Sequence, residues 1–124
     1  MKKSLLLLAL LFTTLLGAQP PDKKLIDTSE VSYVEIVKFN SADPARSQTK
    51  KLSKKQYAGF AQKWNSAPAL GADKYKMTYY LYLYTKAGQK RQFTIFANKI
   101  QEGDWLTFDL KDKQYFDILW KGIK

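Results

Sequence analysis

Between residues 75 and 97 the chain alternates so strictly that one element of its fold is imposed locally. Tyr79, Leu81 and Leu83 interleave with Tyr80, Tyr82 and Tyr84. After Thr85-Lys86-Ala87-Gly88, the residues Arg91, Phe93 and Ile95 interleave with Lys90, Gln92 and Thr94. A repeat of two is the signature of a strand. The segment between the two runs fits a type I turn with Gly88 in the left-handed position, the three-residue hairpin loop with a bulge. That loop pairs Thr85 with Gln89, hence Leu83 with Arg91, Leu81 with Phe93 and Tyr79 with Ile95. One face then gathers Met77, Tyr79, Leu81, Leu83, Phe93 and Ile95. The other gathers Tyr80, Tyr82 and Tyr84 opposite Thr94, Gln92 and Lys90. A slip of one residue would mix the two sets, so side-chain pattern and turn chemistry agree.

The clearest helix start follows residue 52. Ser53 with Gln56 three residues later forms a capping box, and Leu52 with Tyr57 fits its hydrophobic staple. Tyr57, Phe60, Ala61 and Trp64 recur at helical spacing, with Gly59 weakening the middle of the helix. Residues 30–40 read as a strand with apolar side chains on both faces, and residues 40–51 as a polar loop. A turn around Gly103 precedes a strand at residues 105–110. Asp112 then caps a last helix carrying Tyr115, Phe116, Leu119, Trp120 and Ile123. The expected fold is α+β: a four-stranded, mainly antiparallel sheet with two helices, in the order β-α-β-β-β-α. At least one helix should cover the face with Leu81 and Phe93.

The N-terminus carries a different message. Lys2 and Lys3 precede an apolar run from Leu5 to Leu16, and Ala18 offers a small residue for cleavage. This reads as a signal peptide over residues 1–18, followed by a polar, flexible leader at 19–29 and one domain at 30–124. The apolar run is about half of the roughly 20 residues a spanning helix needs, so no transmembrane segment remains once it is removed. The expected location is the periplasm or beyond the cell. The chain contains no cysteine, so packing without disulfides must stabilise it. Its formal charge is +10, or about +8 without Lys2 and Lys3, a balance that attracts acidic partners by its long-range field.

Two groups of residues stand out as candidate sites. Tyr80, Tyr82 and Tyr84, with Lys86, Lys90 and Arg91 nearby, form a candidate partner-binding surface. Tyrosine supplies apolar area and a hydroxyl at low entropic cost. The same row is equally ordinary strand composition, depending on whether a helix covers it. Lys50, Lys51, Lys54 and Lys55, downstream of Arg46, form a candidate anion-binding cluster at a helix N-terminus, or else a solvated face.

Catalytic chemistry finds little footing. The chain contains no histidine, which removes the usual base of a serine nucleophile and, with cysteine, the usual nitrogen and sulfur metal ligands. Ser41, Ser47 and Ser53 lie among lysines, which leaves Ser–Lys chemistry open without a motif to single one out. Glu35 is an acid inside an apolar strand, a candidate functional carboxylate if it faces the core. Asp104, Asp109 and Asp112 do not have calcium-loop spacing. No cofactor motif and no glycine-rich phosphate loop is present. The glycine–aromatic pattern of RNA-reading sheets is also missing, which with the leader disfavours nucleic acid. One helix against a short antiparallel sheet is a layout shared with cystatin-like inhibitors and β-lactamase-inhibitor-type modules, an analogy of architecture that transfers no residues. The expectation is therefore a small exported, non-enzymatic binding module. It would act as an inhibitor, chaperone or accessory factor on a protein or envelope component. The alternatives are a lysine-driven binder of acidic polymers or anionic lipid and, behind it, a small hydrolase.

Overall fold

The computed structural model describes residues 23–71, 76–103 and 106–123. The proposed signal peptide, residues 19–22 of the leader, Asp104 and Trp105 lie outside them. The strands are β1 (Val31–Lys38), β2 (Gln48–Lys51), β3 (Ala69–Gly71), β4 (Tyr79–Thr85), β5 (Lys90–Phe96), β6 (Lys99–Glu102) and β7 (Thr107–Asp109). The helices are α1 (Lys54–Ser66) and α2 (Tyr115–Gly122). Among the described residues the strands form one seven-stranded sheet in the order β2-β1-β4-β5-β6-β7-β3, every neighbouring pair antiparallel.

The expected four-stranded sheet is thus corrected to seven strands, and the order β-α-β-β-β-α to β-β-α-β-β-β-β-β-α. The α+β class, the antiparallel pairing and the two helices remain. The three additional strands are short and have little apolar pattern. Strand β2 is Gln-Thr-Lys-Lys and buries no side chain. It forms one edge of the sheet, where lysines discourage pairing with other chains. Strand β3 has three residues, none buried, at the other edge. Strand β6 buries Ile100 alone. It is separated from β5 by the tight turn Ala97-Asn98, in which Ala97 adopts φ 55°, a conformation usually given to glycine or asparagine, so Asn98 is the sequence signal that marks it.

The hairpin has the expected register: Leu83 opposite Arg91, Leu81 opposite Phe93, Tyr79 opposite Ile95. The Thr85 N–H donates to the Gln89 carbonyl at 2.9 Å, and Gly88 takes φ 86°. On β1, Val34 and Ile36 lie opposite Leu83 and Leu81, extending the apolar face. Both helices pack there. Trp64 of α1 meets Phe93 and Phe108 edge-on, each at 5.0 Å between ring centres, and Phe60 meets Phe93 at 5.5 Å. From α2, Phe116 and Trp120 each lie 6.1 Å from the Tyr79 ring. Burying such aromatic side chains supplies about 2–3 kcal/mol each, the main stabilisation open to a cysteine-free domain.

The capping box of α1 is present as expected. The Ser53 N–H donates to Gln56 Oε1 at 2.7 Å and the Gln56 N–H to Ser53 Oγ at 3.2 Å. Residues 23–27, within the expected flexible leader, form a strap across the core. Trp64 Nε1 donates to the Lys24 carbonyl at 2.9 Å. The Asn65 side chain both accepts from the Ile26 N–H at 2.7 Å and donates to the Ile26 carbonyl at 2.9 Å. Lys23 reaches the Ala67 carbonyl at 2.7 Å with its ammonium over Trp64 and Phe108. Partial burial holds its pKa below the usual lysine value.

Two measurements check this packing. A methyl group at Gly59 would meet Tyr115 Oη at 3.8 Å, an ordinary contact. Gly59→Ala should therefore raise unfolding free energy by about 0.5–1 kcal/mol in urea titrations through helix propensity; a loss would show that α2 packs more tightly than described. The buried Tyr79 hydroxyl donates to Asp117 Oδ1 at 2.6 Å, and burial followed by this acidic partner pushes its pKa well above the usual phenol value. A raised folded-state pKa means that its contribution is complete below about pH 10 and declines as pH rises further. Tyr79→Phe should cost about 1 kcal/mol at neutral pH. The deficit should narrow above about pH 10 in pH-dependent denaturation, and a deficit that widens there would contradict the assignment.

Candidate functional site

The side of the sheet opposite both helices carries Tyr33, Glu35 and Val37 from β1, Tyr80, Tyr82 and Tyr84 from β4, and Lys90, Gln92 and Thr94 from β5. The pairings are Tyr33 with Tyr84, Glu35 with Tyr82 and Val37 with Tyr80, continuing respectively to Lys90, Gln92 and Thr94. All four tyrosines are half-buried rather than enclosed. Toward β7 the same side closes, since Thr107 is fully buried. The open part is therefore the half of the sheet built from β1, β4 and β5.

The rings on this surface are ordered by one another. Tyr33 stacks on Tyr84 with centroids 4.4 Å apart and planes at 16°. Tyr80 and Tyr82 run near-parallel at 6.1 Å, and Phe39 meets Tyr80 edge-on at 5.8 Å. Ammonium groups sit over the rings, Lys90 at 4.3 Å from the Tyr82 centre and 5.6 Å from that of Tyr84, Lys51 at 4.8 Å from that of Tyr33. Such contacts are worth about 0.5–1 kcal/mol each where solvent reaches them. Sequence reasoning identified the β4 tyrosines but missed Tyr33 and Phe39, and it assigned Lys51 to the anion-binding cluster instead of this face. Their membership depends on pairing β1 with β4 and β2 with β1, which no local pattern encodes.

The expected partner-binding set is only partly brought together. Tyr80, Tyr82, Tyr84 and Lys90 share the open face, and Lys86 is exposed in the β4–β5 turn. Arg91 is not among them. Opposite Leu83, it lies under the strap, 7% exposed, where its guanidinium engages Glu102 at 2.7 and 2.8 Å and donates to the carbonyls of Lys24 and Leu25 at 2.6 and 3.0 Å. It is a structural pin.

The lysine cluster is divided in the same way. Strand alternation sends Lys50 and Lys51 to opposite faces of β2. Lys50 donates to the carbonyls of Trp120 and Ile123 at 3.3 and 3.1 Å, with its ammonium 4.3 Å from the Trp120 ring centre. It thereby closes the C-terminal end of α2, where a cation complements the helix dipole. Lys51 joins the tyrosines, while Lys54 and Lys55 stay exposed in the first turn of α1.

The serines and acids also have local duties. Ser53 Oγ caps α1, and Ser47 Oγ accepts from the Asn40 N–H at 3.1 Å. Glu35 faces the open side opposite Lys51, away from the core. Asp109 ties two turns by accepting from Asn98 Nδ2 and from the Lys111 N–H, each at 2.7 Å, and these bonds hold its pKa below the usual carboxylate value. Among the described residues, no three acidic, histidine or cysteine side chains could hold a metal ion, and no helix is long and apolar enough to cross a membrane. A depression of about 350 Å³ lined by Lys38, Phe39, Asn40, Ser41, Arg46 and Gln48 borders the aromatic face. Arg46 is paired there with Asp43 at 3.2 Å.

Comparison with protein-family models, curated proteins and solved structures finds no match to this chain.

The role of Arg91 is directly testable. Arg91→Leu strips Glu102 and two strap carbonyls of their donor and should cost about 3 kcal/mol in chemical denaturation. Arg91→Lys, a point charge unable to reproduce the fork, should recover only part of it. A loss below about 1 kcal/mol for Arg91→Leu would show that the strap does not depend on this pin.

Proposed function

We propose that the protein is a small exported binding module without catalytic activity, engaging another protein or an envelope component through the open half of its sheet. It would act as an inhibitor, chaperone or accessory factor. The observation that carries this reading is the position of Tyr33, Tyr80, Tyr82 and Tyr84 on the side away from both helices. A core-building tyrosine, such as Tyr79, is placed beneath a helix and given a carboxylate partner. The open-face tyrosines instead pack on each other and remain half-exposed, which is how contact surfaces use this side chain. The strap, the two helices and the sheet make a rigid support beneath them. The lysine-driven alternative has weaker support, because Lys50 serves α2 and Lys51 is held over Tyr33 instead of joining a shared anion site.

The test combines binding with stability. The triple variant Tyr80→Thr/Tyr82→Thr/Tyr84→Thr keeps residues suited to strands. Immobilised, it should capture the partner from an envelope extract at least about tenfold less well than the unaltered chain, a loss of about 1.4 kcal/mol in binding, while still melting cooperatively. Undiminished capture would overturn the proposal. Loss of the cooperative melt would instead place these rings in the core.

A further inference from the structure

We infer that the partner presents a carboxylate-bearing protein segment to this face, not a stacked sugar or other planar ligand; the inference rests on the open face being the contact surface. The ring packing supports it. Two rings 4.4 Å apart leave no space between them, so Tyr33 has Tyr84 on one face and the Lys51 ammonium on the other. Tyr84 is covered by Tyr33 and approached by Lys90, and Lys90 also lies over Tyr82, beside the near-parallel Tyr80. Planar ligands need free ring faces. What this packing leaves for a ligand is hydroxyl edges and two ammonium groups. Those are hydrogen-bond donors, and ionised carboxylates are their strongest acceptors among protein side chains. Glu35, the acid within the open half, is already opposite Lys51. The positive formal charge, about +8 without Lys2 and Lys3, adds long-range attraction of the same sign preference. Tyrosine-rich surfaces suit a protein partner, whose apolar side chains can pack against the ring edges.

The experiment measures anisotropy of a short fluorescein-labelled peptide alternating Glu and Val. Polygalacturonate and phosphatidylglycerol vesicles serve as competitors at moderate salt. Lys51→Glu/Lys90→Glu should weaken peptide binding about tenfold or more. The control Lys54→Glu/Lys55→Glu, with the same change in net charge on α1, should weaken it by less than about threefold. Should the double Glu variant fail to fold, Lys51→Gln/Lys90→Gln should still weaken binding more than Lys54→Gln/Lys55→Gln. Equal losses from the two sites would overturn the inference in favour of diffuse charge. Tighter binding of polygalacturonate or vesicles through the same lysines would overturn the protein occupant. Capture from envelope extract separates this inference from the reading beneath it. If the tyrosine variant loses capture and Lys51→Glu/Lys90→Glu retains it, the contact face stands and the carboxylate inference falls. If both retain it, the contact face itself falls.

Discussion

The fold is organised around an interior strand whose two faces are both bulky and chemically unlike. In β4, Tyr79, Leu81 and Leu83 face the helices while Tyr80, Tyr82 and Tyr84 face the other way. Because a strand alternates with a period of two, displacement by one residue would exchange these sets completely. Three hydroxyl-bearing rings would then lie beneath α1 and α2, and two leucines would be exposed. The core opposes such a slip on every side, since Val34 and Ile36 of β1 and Phe93 and Ile95 of β5 are matched to the same three positions.

The helix-covered face is completed by polar anchoring at its rim. Arg91 extends the apolar face of β5 by one position, and at that point the sheet meets the strap instead of a helix. A guanidinium fits there because it can pair with Glu102 of the neighbouring strand and also donate to two strap carbonyls. Trp64 donates to one of those carbonyls from above, so the strap, α1, β5 and β6 share a single junction. Lys50 plays a comparable part at the opposite edge, where an edge-strand lysine closes the end of α2. Side chains that look like surface charge in a list of residues are thus connecting pieces of the framework. That framework frees the other face of the sheet from any structural duty to a helix.

The open face is the counterpart of this arrangement. Its aromatic rings pack on one another and beneath two lysine ammonium groups, which gathers hydroxyl and ammonium donors on one patch. Tyrosine has few rotatable bonds, so its rings would lose less freedom on contact than long flexible side chains do. Specificity would then come from how a partner's acceptors match a fixed pattern of hydroxyl and ammonium groups.

Much of the hairpin was legible in the residues alone, because its register depends on contacts close in sequence: a turn of defined type and an alternation that only one pairing satisfies. The same is true of α1, whose start is written in Ser53 and Gln56. Strands β2, β3 and β6 were not legible, since a strand of three or four residues that buries at most one side chain has no period to detect. The identity of the open face was half legible. Local pattern placed Tyr80, Tyr82 and Tyr84 on one side of a strand, but only long-range pairing brought Tyr33 and Lys51 to them and moved Arg91 and Lys50 away. Sequence by itself determined which side chains share a strand face, because that follows from backbone geometry over a few residues. Tertiary structure alone decided that both helices lie on the side of Leu81 and Phe93 and leave the tyrosine side open, because that depends on burying apolar area between segments far apart in the chain.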